Sequence, residues 1–140
     1  MAQHVKDIMT SDLVTVEPVA SVGAVARLMR DRDIGAVLVT EDGRLRSLVS
    51  DRDLVVRVFA DGADPERTTV IEACGESVVT VTPDDSLDRA IELMRAHAVR
   101  RLPVVVDGDR PVGIVSLGDL AVERDETSVL AQVSAAGPNG

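Results

Sequence analysis

One internal repeat constrains this 140-residue chain more than any other feature. Val14-Thr15-Val16-Glu17-Pro18 returns 65 residues later as Val79-Thr80-Val81-Thr82-Pro83. Ser21, Leu28, Met29 and Arg30 return at the same spacing as Ser86, Leu93, Met94 and Arg95. Leu48-Val49-Ser50-Asp51-Arg52-Asp53-Leu54 returns as Ile114-Val115-Ser116-Leu117-Gly118-Asp119-Leu120, now 66 residues on. The change of one places an extra residue in the turn near Asp107-Gly108-Asp109-Arg110, where an insertion costs least. A chain written this way is one supersecondary unit used twice.

Each copy reads as β-α-β-β-α. In the first, Val5 to Met9 is a short helical lead-in, and Val14-Thr15-Val16 is a strand ended by Pro18. Ser21 caps a helix with Val22, Val25, Ala26, Leu28 and Met29 at helical spacing, closed by Asp31-Arg32-Asp33. Ala36 to Thr40 and Leu45 to Ser50 form a hairpin about Glu41-Asp42-Gly43-Arg44, and Asp51 to Ala60 is a helix. Asp61 to Pro65 is a linker, and Val70 to Cys74 repeats the lead-in. The repeats therefore divide the chain at 1–64 and 65–126, leaving 127–140 as a partly disordered tail. In that tail Thr127 and Ser128 cap one last turn through Val129, Leu130 and Val133, ahead of a frayed Gly137-Pro138-Asn139-Gly140. Neither repeat has much core alone, so an α/β (α+β) fold of two units, packed sheet to sheet about a pseudo-twofold axis, is expected.

The chemistry centres on the two Ser-x-x-Asp junctions. A strand that runs straight into a helix presents backbone N–H groups that suit an anion, and an Asp one turn in can accept hydrogen bonds from a hydroxyl-rich ligand such as a ribose. The same pattern is also a capping box serving only the helix. Duplication does not separate these readings, because a copied gene copies caps as readily as sites.

Composition narrows the classes. Phe59 is the only aromatic, so the core is aliphatic and a bound base would lie between aliphatic side chains and backbone. A net charge of −9 argues against nucleic acid and against anionic membrane surfaces. Cys74 is the lone cysteine, which excludes an intrachain disulfide and leaves a Cys-based zinc site short of ligands. It reads as a small buried hydrophobe. His97 ends a helix and His4 lies near the chain start; neither is spaced with Ser, Asp or Cys for catalysis, and no Walker-type loop is present. The N-terminus lacks the apolar run of a signal peptide and no stretch is long enough to span a membrane, so a soluble cytoplasmic protein is expected. No catalytic residue, no metal ligand and no required cofactor is assigned.

Val5-Lys6-Asp7-Ile8-Met9, the two Val-Thr-Val-x-Pro strands, Arg101-Leu102-Pro103-Val104-Val105 and Gly113-Ile114-Val115-Ser116-x-x-Asp119-Leu120 together resemble a tandem pair of CBS domains, the Bateman module, over Val5 to Arg124. The chain is similar to small stand-alone bacterial two-CBS proteins, including the hypoxic-response type. The resemblance implies a non-catalytic sensor that binds AMP, ADP, ATP or S-adenosylmethionine in clefts between the repeats. Carried over by motif, Asp53 and Asp119 would hold ribose hydroxyls, and Ser50 and Ser116 would approach phosphates. Thr15-Val16 and Thr80-Val81 would line the base. Arg100-Arg101 would join Ser50, Arg52 and Asp53 around a phosphate, whereas the Asp119 cleft would meet Gly35-Ala36. Two departures stand out: Ser47 where the family has the glycine seen at Gly113, and Cys74 in place of the methionine seen at Met9. The alternative is a ligand-free structural or interaction module; an enzyme or redox protein acting through Cys74 and His97 is the remote third. Apolar stripes on Val22–Met29, Leu54–Phe59, Leu87–Met94 and Leu120–Val122 exceed what two thin repeats can cover, so a twofold homodimer is expected, with a further protein partner of unknown identity.

Overall fold

The computed structural model describes residues 2–75 and 78–124. The expected cap and last turn from Thr127 to Val133, and the tail to Gly140, lie outside the described residues. Two compact units emerge: Val14–Val78, and the residues up to Leu13 together with those from Val79 onward. The leading residues up to Leu13 thus group with the second set of strands and helices rather than with the first.

In the first unit, β1 (Thr15–Val16) pairs parallel with β2 (Ala36–Glu41), which pairs antiparallel with β3 (Arg44–Ser50). Asp42 and Gly43 both take positive φ, 55° and 77°, the two-residue hairpin turn that their types favour. Helix α1 (Val22–Arg32) starts because the Ser21 hydroxyl accepts from the Ala24 N–H at 3.1 Å. It ends with Asp33 in the left-handed region. Its buried face, Val22, Val25 and Met29, packs with Val37, Val39, Val49, Leu54, Val58, Val70 and Ala73. Helix α3 (Val70–Ala73) is held over the loop before α1 by the Val70 and Ile71 N–H groups, which donate to the Ala20 and Pro18 carbonyls.

The second unit repeats the plan with α4 (Leu87–His97), β4 (Arg101–Val106), β5 (Arg110–Ser116) and α5 (Leu117–Arg124). The expected extra turn residue is there: three residues separate β4 from β5, against two between β2 and β3. The expected strand Val79-Thr80-Val81 is not. Only Val81 bridges, to Val104. In the first unit the Leu38 N–H donates to the Val14 carbonyl at 3.0 Å, and its counterpart 65 residues on is Pro103, which has no N–H to give. One lost ladder bond reduces the strand to a bridge.

The leading segment joins this second unit. Val5, in the 3₁₀ turn Val5–Asp7, is fully buried among Val81, Leu87, Ala90, Met94, Leu102, Val104, Val115 and Leu120. Its N–H donates to the Asp85 carbonyl, that of Lys6 donates to Pro83, and Thr10 and Ile114 exchange both backbone bonds at 2.9 Å. The Lys6 ammonium pairs with Asp84.

The helix expected over Asp51 to Ala60 is divided. It is α only in α2 (Asp51–Leu54) and widens to a π turn over Val55–Phe59. Phe59 is 82% exposed, so the core is aliphatic throughout.

A candidate ligand site at two strand–helix junctions

Both junctions are capping boxes in full. At the first, the Asp53 N–H donates to the Ser50 hydroxyl at 3.1 Å, while Asp53 Oδ2 accepts from the Ser50 N–H at 2.8 Å and from its hydroxyl at 2.9 Å. At the second, the Asp119 N–H donates to Ser116 Oγ at 3.0 Å and Asp119 Oδ2 accepts from the Ser116 N–H at 2.9 Å. Each carboxylate is thereby fixed at the end of a buried strand, half-buried itself. Its Oδ1 side is left for other groups.

The expectation of free backbone N–H groups at the first junction is corrected by its hydrogen bonds. The Ser50 and Asp53 groups are used as above, the Asp51 N–H donates to the Gly35 carbonyl at 2.9 Å, and the Arg52 N–H donates to Asp51 Oδ1 at 2.8 Å. The reason is local: Asp51 is one residue ahead of Arg52, and its carboxylate folds onto the amide a phosphate would need. At the second junction the Leu117 N–H donates to the Arg100 carbonyl at 2.8 Å. Leu117 has no oxygen with which to close the Gly118 amide. Any anion at the first junction would therefore meet side-chain cations rather than free backbone amides.

Those cations are placed as follows. Arg52 is exposed on α2. Arg57, which the sequence reading passed over, puts Nε 3.7 Å from Asp53 Oδ1. Its i+4 spacing from Asp53 was the signal available for it. The residue at the matching place in the second repeat is Glu123, which accepts from the Ala2 N–H at 3.0 Å. Arg100 is exposed and Arg101 half-buried; Arg101 is the cross-strand partner of Ser116, as Ala36 is of Ser50. Arg100, Arg101, Ser116, Asp119, Thr80 and Val81 thus share one unit, and Thr15, Val16, Ser50, Arg52 and Asp53 the other. Thr15 is exposed, Val16 and Thr80 are half-buried, and Val81 is buried.

Beneath the first junction, Ser47 is buried and its hydroxyl meets the Cys74 thiol, which also donates to the Val70 carbonyl at 3.3 Å. Burial, with Asp53 nearby, holds the thiol above its ordinary pKa; Ser47 and Arg57 oppose this more weakly. That is the environment of an inert thiol. His97 is exposed at the end of α4. Among the described residues, no three His, Cys, Asp or Glu side chains gather as a metal site, and no helix is long and apolar enough to cross a membrane.

With this geometry in hand, similarity to known proteins is specific. The family described as CBS domain matches residues 5–59 and 70–126. The CBS domain-containing protein YhcV of Bacillus subtilis is 42% identical over 120 residues, covering 86% of this chain and 84% of that protein. Hypoxic response protein 1 of Mycobacterium tuberculosis is 34% identical over 131 residues, covering 93% and 91%. Among solved structures, the hexameric CBS-CP12 protein from bloom-forming cyanobacteria superposes with a TM-score of 0.77 at 28% identity, over 89% of this chain and 74% of that one. The cytosolic domain of the Mg2+ channel MgtE in complex with ATP gives 0.73 at 33% identity, over 84% and 47%.

Proposed function

This chain belongs to the CBS-domain family, and from that premise we propose that it is a non-catalytic regulatory module. It binds an adenosine derivative (AMP, ADP, ATP or S-adenosylmethionine) at its Ser–Asp junctions, and it works in the cytoplasm. The observation that carries this reading is the pair of pinned carboxylates. Ser50 and Ser116 hold Asp53 and Asp119 by one oxygen at equivalent strand ends, which leaves each ready to accept a ribose hydroxyl. The capping role and the ligand role are compatible, because a carboxylate has about four lone-pair sites. Thr15-Val16 and Thr80-Val81 line the base, and Arg52, Arg100 and Arg101 meet phosphate. The ATP complex of the MgtE cytosolic domain supports the ligand class.

Self-association is part of the same reading. Val55, Val56 and Phe59 are 57%, 50% and 82% exposed on one short segment, an apolar surface that a second copy would cover, and a structural neighbour is hexameric.

Thermal denaturation with each of the four ligands is the direct test. A ligand at 100 times its Kd adds about 2.7 kcal/mol to the stability of the protein that binds it. A flat response to all four at millimolar concentration would return the chain to the ligand-free interaction reading.

A further inference from the structure

Each lead-in of this chain serves the core of the other repeat, not its own. Val5, ahead of the first set of strands, is buried among Val81, Leu87, Leu102 and Leu120. Val70, ahead of the second set, is buried among Val22, Val25, Val37 and Val49. A lone repeat that docked its lead-in in this way would dock it on a second copy. Duplication places both halves of that exchange in one chain.

The leading segment is seated by its own residues. The Val5 and Lys6 N–H groups donate to the Asp85 and Pro83 carbonyls, and Thr10 and Ile114 exchange both backbone bonds. The Lys6 ammonium lies 2.9 Å from Asp84 Oδ1. The chain then reaches Val14, the first residue of the other unit, through Ser11, Asp12 and Leu13. Those three make no hydrogen bond among the described residues, and Ser11 and Asp12 are exposed. The bonds that seat the segment are therefore the same whichever copy's Val14 follows it.

We propose that this groove takes the leading segment of a second copy as well as its own, so that two chains exchange residues 2–10 about a twofold axis. Exchange keeps every docked contact, and what it gives up is the tether. A short tether acts as an effective concentration of about millimolar order, so the exchanged pair gains as the protein approaches that range. The exchanged segment also reaches a candidate ligand junction. Met9 fills the hollow at Gly113, Thr10 holds Ile114, and the Ala2 N–H donates to Glu123 Oε1 at 3.0 Å, on either side of Ser116 and Asp119. Each copy thus braces its partner's second junction. The exchange needs no ligand and does not use the Phe59 surface.

Lys6 is the only lysine in the chain, so a zero-length carbodiimide join from Lys6 to Asp84 reports docking at one place. Wild-type protein labelled with nitrogen-15 is mixed in urea with an equal amount of unlabelled protein. The mixture is dialysed back at a series of concentrations, cross-linked and digested with trypsin. The join appears between the peptides ending at Arg27 and Arg89. Docking within a chain joins light to light and heavy to heavy, whereas exchange also joins light to heavy. The mixed share should rise from near zero at micromolar protein toward about half of all joins at millimolar protein. Phe59→Ser should leave that share unchanged. Joins that stay unmixed at millimolar protein overturn the exchange, as does a mixed share that vanishes with Phe59→Ser. A sample without joins overturns it too, because the segment is then not seated where Lys6 meets Asp84.

Discussion

Gly113 and Met9 are a matched pair: a Cβ on Gly113 would lie 2.6 Å from the Met9 sulfur and 3.1 Å from the Thr10 carbonyl oxygen. At the same places in the first repeat stand Ser47 and Cys74, again in contact. The larger side chain sits opposite the missing one in one copy, and two small polar side chains meet in the other. Two apparent departures from the family pattern are thus one compensated exchange. Gly113→Ala should destabilise the protein by about 1–3 kcal/mol, the usual cost of overpacking a filled site. Met9→Cys combined with Gly113→Ser, which copies the first-repeat pair, should recover most of that loss. Urea denaturation of the three proteins measures both effects; a double variant no better than Gly113→Ala would break the pairing argument.

Cys74 should react slowly. Its thiol is held above the ordinary range by burial, so little thiolate forms near neutral pH, and reactivity rises only as the pH climbs past that range. A disulfide reagent at pH 8 should modify the native protein much more slowly than the same protein in urea. Equal rates in the two states would show the thiol to be open.

The arginines and aspartates should divide the ligand between charge and hydroxyls. Arg101→Ala should weaken AMP by one to two decades, the size of a lost charge-assisted bond of about 1.5–3 kcal/mol, and adenosine far less. Asp53→Ala should weaken both ligands, because it removes a hydroxyl acceptor common to them. Asp119→Ala should leave most AMP affinity, since Asp53 has Arg52 and Arg57 beside it while Asp119 is followed by Glu123. Calorimetry gives the ranking, and the reverse order would assign Arg100-Arg101 to the Asp119 junction, with which they share a unit.

Phe59→Ser should leave the fold intact and loosen self-association, because the ring contributes surface rather than core. Light scattering at micromolar concentration should show a shift toward monomer, with an unchanged urea midpoint at low protein concentration. A wild-type protein that scatters as a monomer sinks this prediction and the dimer with it.

Acid should weaken the chain through its caps. The Asp7 carboxyl is held down by the His4 and Gln3 N–H groups, and that of Glu72 by the Thr69 N–H and hydroxyl. A carboxyl with a lowered folded pKa contributes stability that is present above its unfolded pKa and lost as the pH falls through the folded one. Stability should therefore be level above the ordinary carboxylate range and decline through and below it. Thermal midpoints between pH 7 and pH 3 follow the loss, and Glu72→Gln should flatten part of it.

The repeat, the helices capped by Ser21 and Ser86, both hairpins and both Ser–Asp junctions were legible in the sequence by itself. Each depends on neighbours within a few residues: an oxygen placed to accept the N–H three positions on, an Asp-Gly pair suited to positive φ, an apolar stripe at helical spacing. The CBS family followed from their order. Tertiary structure alone decided where the leading segment docks. Val5 and Val70 open matching lead-ins, Val5-Lys6-Asp7-Ile8-Met9 and Val70-Ile71-Glu72-Ala73-Cys74, yet Val5 joins the core of residues far along the chain while Val70 joins the core of the strands before it. The partners that fix each choice lie far away in sequence: Met9 packs on Gly113 and Lys6 pairs with Asp84, while Cys74 meets Ser47. The π turn was hidden too, because residues 55–59 read as ordinary helix from their local spacing.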